Sequence, residues 1–235
     1  MKLHRVLAIF EKDLKEFMRN MSLFTMILLP IIMALLFTNI GGGIEDLPLE
    51  IIFILIGMTF SAISYNTMAT MMAEENEKDT LRGLVQSPAS LIDIILGKSL
   101  VTILMTLISL GISLAICDAI TSWSFMGIIA LILLLLFFLG LGIAVGLSVK
   151  SVATTAVYSM PIMFIFGMSQ YVEFIVTDPN SIVRKVFNYL PIYQVFFIEE
   201  GQPPFKPLMI LLVWVILVFI IVFWTFKKRS KDDKR

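Results

Sequence analysis

The chain has 235 residues, of which 58% are hydrophobic and only 15% charged, and its mean hydropathy is +0.94. A water-soluble globule is thereby excluded, and the chain reads as an integral membrane protein. Its formal net charge is zero, but the charges are gathered in a few blocks, so their placement is informative where their sum is not.

The first element covers residues 1–20. Val6, Leu7, Phe10, Leu14, Phe17 and Met18 recur at helical spacing, and Lys12, Asp13, Lys15, Glu16 and Arg19 fill the other positions. That pattern predicts an amphipathic helix lying along the cytoplasmic face of the membrane. The first long apolar run begins only at Met21 and has no small-x-small site after it, so no cleavable signal peptide is expected.

A bilayer core needs roughly 20 apolar residues per helix, and such runs occur six times within residues 21–226. They are Met21 to Ile40, Leu49 to Ala73, Ile94 to Ile116, Phe125 to Val149, Val152 to Gln170 and Pro207 to Phe226. Lipid offers no partner to an unpaired backbone group, so each run must be a helix, and the expected fold is an all-α, six-span membrane protein. Pro30 and Pro161 are expected to kink the first and fifth spans. Gly142 and Gly146 form a Gly-x-x-x-Gly pair suited to close helix packing within the protomer.

Between the last two spans, residues 171–206 are more apolar than a solvated loop, with Phe174, Ile175, Val176, Ile182, Val183, Val186, Phe187, Tyr189 and Leu190 interrupted by Pro179 and Pro191. They are expected to form re-entrant helices that dip into the membrane or pack on the helix tops. Residues 227–235 make a basic tail. Lys and Arg are concentrated before the first span, in the second-to-third loop and in this tail, while the opposite side holds only Arg184, Lys185 and Lys206, which places both termini in the cytoplasm.

The loop at residues 74–93 is the most polar feature between spans. Glu74, Glu75, Glu77 and Asp79 interleave with Lys78 and Arg82, and Gly83 permits a break before Ser87-Pro88 opens a new helical start. Leu81, Leu84 and Val85 fall at i, i+3 and i+4, a small apolar knob flanked by charge. The plain alternative is a solvated loop whose lysines only set topology.

This stretch, with Leu96-Gly97-Lys98 after it, resembles the signature loop of type-2 ABC exporter permeases, in particular the small permeases of bacterial amphipathic-peptide and antibiotic exporters. Glu75, Glu77, Thr80, Leu81, Ser87, Pro88, Gly97 and Lys98 stand where the pattern places them, while Asp79 replaces a frequent glycine. The resemblance implies that Glu74, Glu75, Glu77, Thr80, Leu81, Arg82, Leu84, Val85, Ser87 and Pro88 couple the chain to a separate cytoplasmic ABC ATPase. Two ATPase copies would hold the ATP and Mg, and a second permease copy or homologue would complete the complex. The chain has no P-loop of its own, since Ile92 to Ser99 ends in Gly-Lys-Ser but carries Ile92 where the first glycine belongs. Lys98 reads instead as a snorkelling anchor at the membrane boundary.

Within the spans, Met58, Ser61, Tyr65, Met68 and Met72 form one helical stripe, with Asn66 on the adjoining face; Thr155, Ser159, Met163 and Phe166 repeat the spacing in the fifth span. Helix association through small and hydroxyl side chains is one reading. A path for greasy, variable ligands between the second and fifth spans of two protomers, as in the resembling exporters, is the other. Cys117 is the only cysteine and His4 the only histidine, so no multi-cysteine metal site, disulfide or zinc protease motif can be built, and an intramembrane enzyme is disfavoured. A stand-alone immunity or channel protein is a further alternative, against which the coupling-like loop speaks. The expected role is export of hydrophobic or amphipathic compounds across a bacterial cell membrane in contact with lipid, with no catalytic residue, metal, cofactor or nucleic acid on this chain. No basic cavity is visible in the spacing of Lys and Arg.

Overall fold

The computed structural model describes residues 3–40, 47–77, 91–120, 123–178 and 180–232, and every regular element among them is helical. The order is α1 (Leu3–Arg19), α2 (Met21–Ile40), α3 (Leu49–Glu77), α4 (Leu91–Ile116), α5 (Phe125–Ser148), α6 (Val152–Gly167), α7 (Val172–Ile175), α8 (Ile182–Phe187), α9 (Pro191–Glu199) and α10 (Phe205–Asp232). By length and composition α2, α3, α4, α5 and α10 can each cross a membrane, and α6 with the short helical piece Ser169–Ile175, from which it is bent by 56°, is either a sixth, broken span or a re-entrant pair. The all-α fold is as expected. The second span is longer than its apolar run, continuing past Ala73 to Glu77, because its polar last turn finds partners inside the bundle.

The helix α3 is the axis of the fold. Of its most apolar stretch 89% is buried, against 17% for α10 and 22% for α2, so α3 is surrounded by the chain's own helices while α2 and α10 leave most of their surface uncovered by this chain. Its centre, Phe60–Tyr65, is a π-helical segment. Thr59 Oγ1 donates to Leu55 O and Ser61 Oγ to Gly57 O, both at 2.8 Å, the kind of hydroxyl back-bonding that competes with the regular ladder.

One core gathers α3, α5, α9 and α10 around Phe53, Phe60, Tyr65, Phe137, Phe138 and Tyr193. Phe60 stacks on Phe138 at 6.0 Å between centroids, and Phe53 meets Phe196 edge-on at 5.5 Å. The predicted Gly142–Gly146 contact lies here: a Cβ on Gly142 would come within 2.6 Å of Tyr65 O, and one on Gly146 within 2.6 Å of Met72 Cβ. A second core joins α1, α2, α3 and α4 through Phe17, Leu23, Ile27, Ile63, Met71, Val101 and Met105. Hydroxyls cross-link it, Ser64 Oγ to Thr106 Oγ1 at 3.0 Å and Ser109 Oγ to Ile27 O at 2.9 Å.

Residues 171–206 divide into two kinds of helix. The helix α9, opened by Pro191 at its first position, is buried and packs against α5 and α10. The shorter α7 and α8 leave Ile175, Ile182 and Val186 exposed, and Arg184 of α8 pairs with Glu173 of α7, which also accepts a hydrogen bond from Tyr193 Oη at 3.2 Å.

Candidate functional site

The end of the bundle at which α3 stops, at Glu77, holds a buried ionic cluster. Gly97 lets α1 approach α4 closely, since a Cβ there would lie 2.6 Å from Ile9 Cγ2. One residue on, Lys98 is only 3% exposed, and its Nζ lies 3.0 Å from Glu75 Oε1 on α3 and 3.2 Å from Asp13 Oδ2 on α1. The Gly97-Lys98 pair therefore admits α1 and then neutralises its buried acid. This corrects the snorkelling assignment, because the ammonium turns inward to two carboxylates and not outward to the interface.

Asp13 was legible in principle. Val6, Asp13 and Phe17 are the buried residues of α1, so Asp13 shares the apolar stripe and does not belong to the polar face assigned to it from composition. Leu7 and Met18, counted on the stripe, are about half exposed. Lys12 approaches Glu75 and Asp13 from the rim, 3.6 Å from each. Partial burial alone would lower its ammonium pKa, but the carboxylates of Glu75, Asp13 and Glu16 outweigh that and hold it above its ordinary value.

The two residues after Glu75 tie in the rest of the bundle. Asn76 Nδ2 donates to Gly146 O at 2.7 Å and Val149 O at 3.0 Å, satisfying carbonyls at the C-terminal end of α5. Glu77 Oε2 accepts from Val152 N at 2.8 Å, placing a carboxylate at the positive end of α6. Glu75, Asn76 and Glu77 thus connect the root of the loop to α1, α4, α5 and α6. Of the residues expected to couple to a partner, Glu75 meets Lys98 and Lys12 within the chain, and Glu77, which is exposed, accepts from Val152 N. Thr80, Leu81, Arg82, Leu84, Val85, Ser87 and Pro88 lie outside the described residues.

A groove of about 470 Å3 runs between α2, α3 and α6. Of the expected path, Ser61, Asn66, Thr155, Ser159 and Met163 line it, joined by Met26, Thr70 and Met160, with Glu74 toward the loop root. Asn66 organises the three walls: its Oδ1 accepts from Ser159 Oγ at 2.7 Å on α6, and its Nδ2 donates to Met26 Sδ on α2.

The rest of the expected stripe is elsewhere. Met68 and Met72 are completely buried where α3 meets Gly142 and Gly146 of α5; Tyr65 is completely buried too, its carbonyl against Gly142 and its hydroxyl toward Ser159 of α6, and Met58 is buried without lining the groove. Phe166 packs on Phe137 at 5.4 Å and Trp214 at 5.7 Å. For Met68 and Met72 the reason is the π segment of α3, whose extra residue per turn rotates everything beyond it by about one position; Phe166 lies in a second π-helical segment, Met163–Gly167 of α6. Asn66→Ala is accordingly expected to alter transport more than thermal stability, while Tyr65→Ala does the reverse, at a cost of about 2–5 kcal/mol. Thermal melts beside a transport assay check this, and a Tyr65→Ala protein with unchanged melting would remove it from the core.

A scan against protein-family models matches the ABC-2 family transporter protein over residues 48–226, about three quarters of the chain. The match runs from the start of α3 through most of α10, so it contains the Glu75–Glu77 hub, the 78–90 loop and the α3 and α6 walls of the groove. No curated protein matches the chain. A family of this kind supplies the membrane-spanning part of a transporter and works with an ABC ATPase, which agrees with a helical bundle whose polar loop root is bonded to four other helices. The chain belongs to the ABC-2 family of transporter proteins, as an ABC transporter permease subunit.

Proposed function

We propose that this permease exports hydrophobic or amphipathic compounds, a peptide toxin or antimicrobial first among them, from the cytoplasm of a bacterial cell. Two permease chains, identical or homologous, pair with two ATPase subunits that carry ATP and Mg. The observation that supports this cargo is the lining of the α2–α3–α6 groove. Met26, Met160 and Met163 supply adaptable apolar surface, Asn66, Ser61, Ser159 and Thr155 supply scattered hydrogen-bonding groups, and Glu74 is the one ionisable side chain among the lining residues. Such a lining suits variable, greasy ligands and is poorly suited to a compact anion or a metal ion.

In this reading the 78–90 loop docks in the ATPase, and nucleotide-driven closure pulls on the root at Glu75–Glu77. Because that root is bonded to α1, α4, α5 and α6, a displacement there moves helices on both sides of the groove together. ATP hydrolysis by the reconstituted complex, measured with a panel of amphipathic peptides and lipophilic drugs, tests the cargo class. Stimulation by several of them is expected, and a response confined to hydrophilic or ionic solutes would refute the assignment.

The docking assignment makes its own prediction. Leu84→Asp places a charge in the apolar knob and should abolish co-purification of the ATPase while leaving membrane insertion intact. An undiminished complex would assign the docking surface elsewhere. The topology is tested with single cysteines in a background lacking Cys117: those at Glu45 and Asn180 should react with an impermeant maleimide from outside intact cells. One at Lys78 should stay unlabelled, and its labelling would invert the orientation.

A further inference from the structure

The far side of the molecule from the hub carries a second cavity, of about 420 Å3, between α8, α9 and the start of α10. Lys185 of α8 and Lys206 of α10 both line it, together with Asn188, Gln194 and Gln202, and no carboxylate is among the lining residues. Both lysines are exposed, and no acid lies within ion-pairing distance of either among the described residues. Spacing in the sequence gave no basic cavity; the fold makes one by turning α9 back between α8 and α10.

The cavity's position relative to the lipid is defined by α10. Lys206 stands in its first turn, and Met209 and Val213, one and two turns further along, are about half exposed on the surface that a membrane helix turns to lipid. Tyr189 lines the cavity, and its carbonyl accepts from Trp214 Nε1 at 2.8 Å, which fixes the end of α8 to α10 beneath the cavity. The walls are mixed, with Phe197, Pro207 and Ile210 beside the polar groups. Gln194 is buried, and its amide nitrogen already donates to Asn188 O at 2.7 Å and Leu190 O at 3.1 Å, which leaves its oxygen to accept from a ligand hydroxyl. The positive end of the 28-residue α10 adds to the two ammonium groups.

We propose that this cavity binds the headgroup of an anionic, hydroxyl-bearing phospholipid, with the phosphate between Lys185 and Lys206, a headgroup hydroxyl on Gln194, and the acyl chains along Met209 and Val213. A zwitterionic headgroup would bring its own cation to the same two lysines and is disfavoured. The site sits on the helices that cap the α5–α10 core, so an occupied headgroup ties the short helices α8 and α9 to the last span. It is separate from the α2–α3–α6 groove and independent of the cargo reading.

The test uses the full chain in nanodiscs and two photoreactive probes, a phosphatidylglycerol and a phosphatidylcholine with a diazirine beside the phosphate, mapped by peptide mass spectrometry. Phosphatidylglycerol is expected to label peptides containing Tyr189 and Gln202–Ile210 in preference to phosphatidylcholine. The exposed substitutions Lys185→Gln and Lys206→Gln together should weaken that labelling roughly 30-fold, from about 1 kcal/mol per lysine near an anionic headgroup. The double arginine variant should keep it, and Lys227→Gln with Lys228→Gln, at the other end of α10, should leave it unchanged. Equal labelling by both lipids, or labelling that survives loss of both lysines, overturns the proposal. Displacement by inorganic phosphate as effective as by phosphatidylglycerol would make the site one for free phosphate and overturn the lipid assignment.

Discussion

Replacing Lys98 by Met is expected to destabilise the folded chain by about 3–5 kcal/mol, the cost of removing one partner from a buried ionic pair. Lys98, Glu75 and Asp13 are all under 10% exposed, so the substitution takes from two buried carboxylates a cation that is itself buried, whereas Lys12, which also approaches both, is more than half exposed. A rim lysine of that kind is screened by water and contributes little. The double change Lys98→Met with Glu75→Gln should recover much of the loss, because it removes the charge that the first change orphaned. Thermal unfolding of the purified chain gives both numbers. Melting of the single variant at the parent temperature would return Lys98 to the interfacial role that its position at the head of an apolar span suggested. In the assembled transporter the same variant should also lower coupling between ATP hydrolysis and transport, since Lys98 links α4 and α1 to the loop root.

Gly57→Ala is expected to be damaging as well, although it adds only one methyl group. A Cβ at Gly57 would stand 2.8 Å from the carbonyl carbon of Gly167, closer still to its oxygen, and 2.6 Å from Ile192 Cδ1. Gly167 is backbone at the point where α6 breaks, so it cannot rotate away, and the two helices must separate. Overpacking of this kind costs about 1–3 kcal/mol. Gly111→Ala is the control: nothing lies within 4 Å of a Cβ there, and the change should be neutral or stabilise by up to about 1 kcal/mol through lower chain entropy. Equal melting temperatures for the two variants would mean that α3 and α6 are not in contact at Gly57. Because Ser61 and Met163 of the groove are about one turn from this contact, Gly57→Ala should disturb transport and stability together, unlike Asn66→Ala.

Neither glycine drew attention in the sequence, where Gly57 and Gly167 are 110 residues apart and neither belongs to a Gly-x-x-x-Gly pair. Gly142 and Gly146 did, because their spacing alone puts them on one helical face. The same contrast holds among the charged groups. Glu75 and Lys98 were singled out individually, yet only the docking of α1 on α4 brings Asp13 to them, and an acid on an apolar stripe is readable as buried only once something is known to cover that stripe.

By itself the sequence determined the membrane setting, the all-helical fold and the order of the long apolar helices, because each of these follows from hydropathy and local spacing that no tertiary contact can override in lipid. Tertiary structure decided which face of each helix is used. The π segment at Phe60–Tyr65 sends Met68 and Met72 into the α3–α5 core and leaves Ser61 and Asn66 in the groove, and Phe166, within the second π-helical segment Met163–Gly167, packs on Trp214. Periodicity assumes one residue angle along a whole helix, and a single widened turn, stabilised by long-range packing as much as by local hydroxyls, is enough to reassign every side chain beyond it.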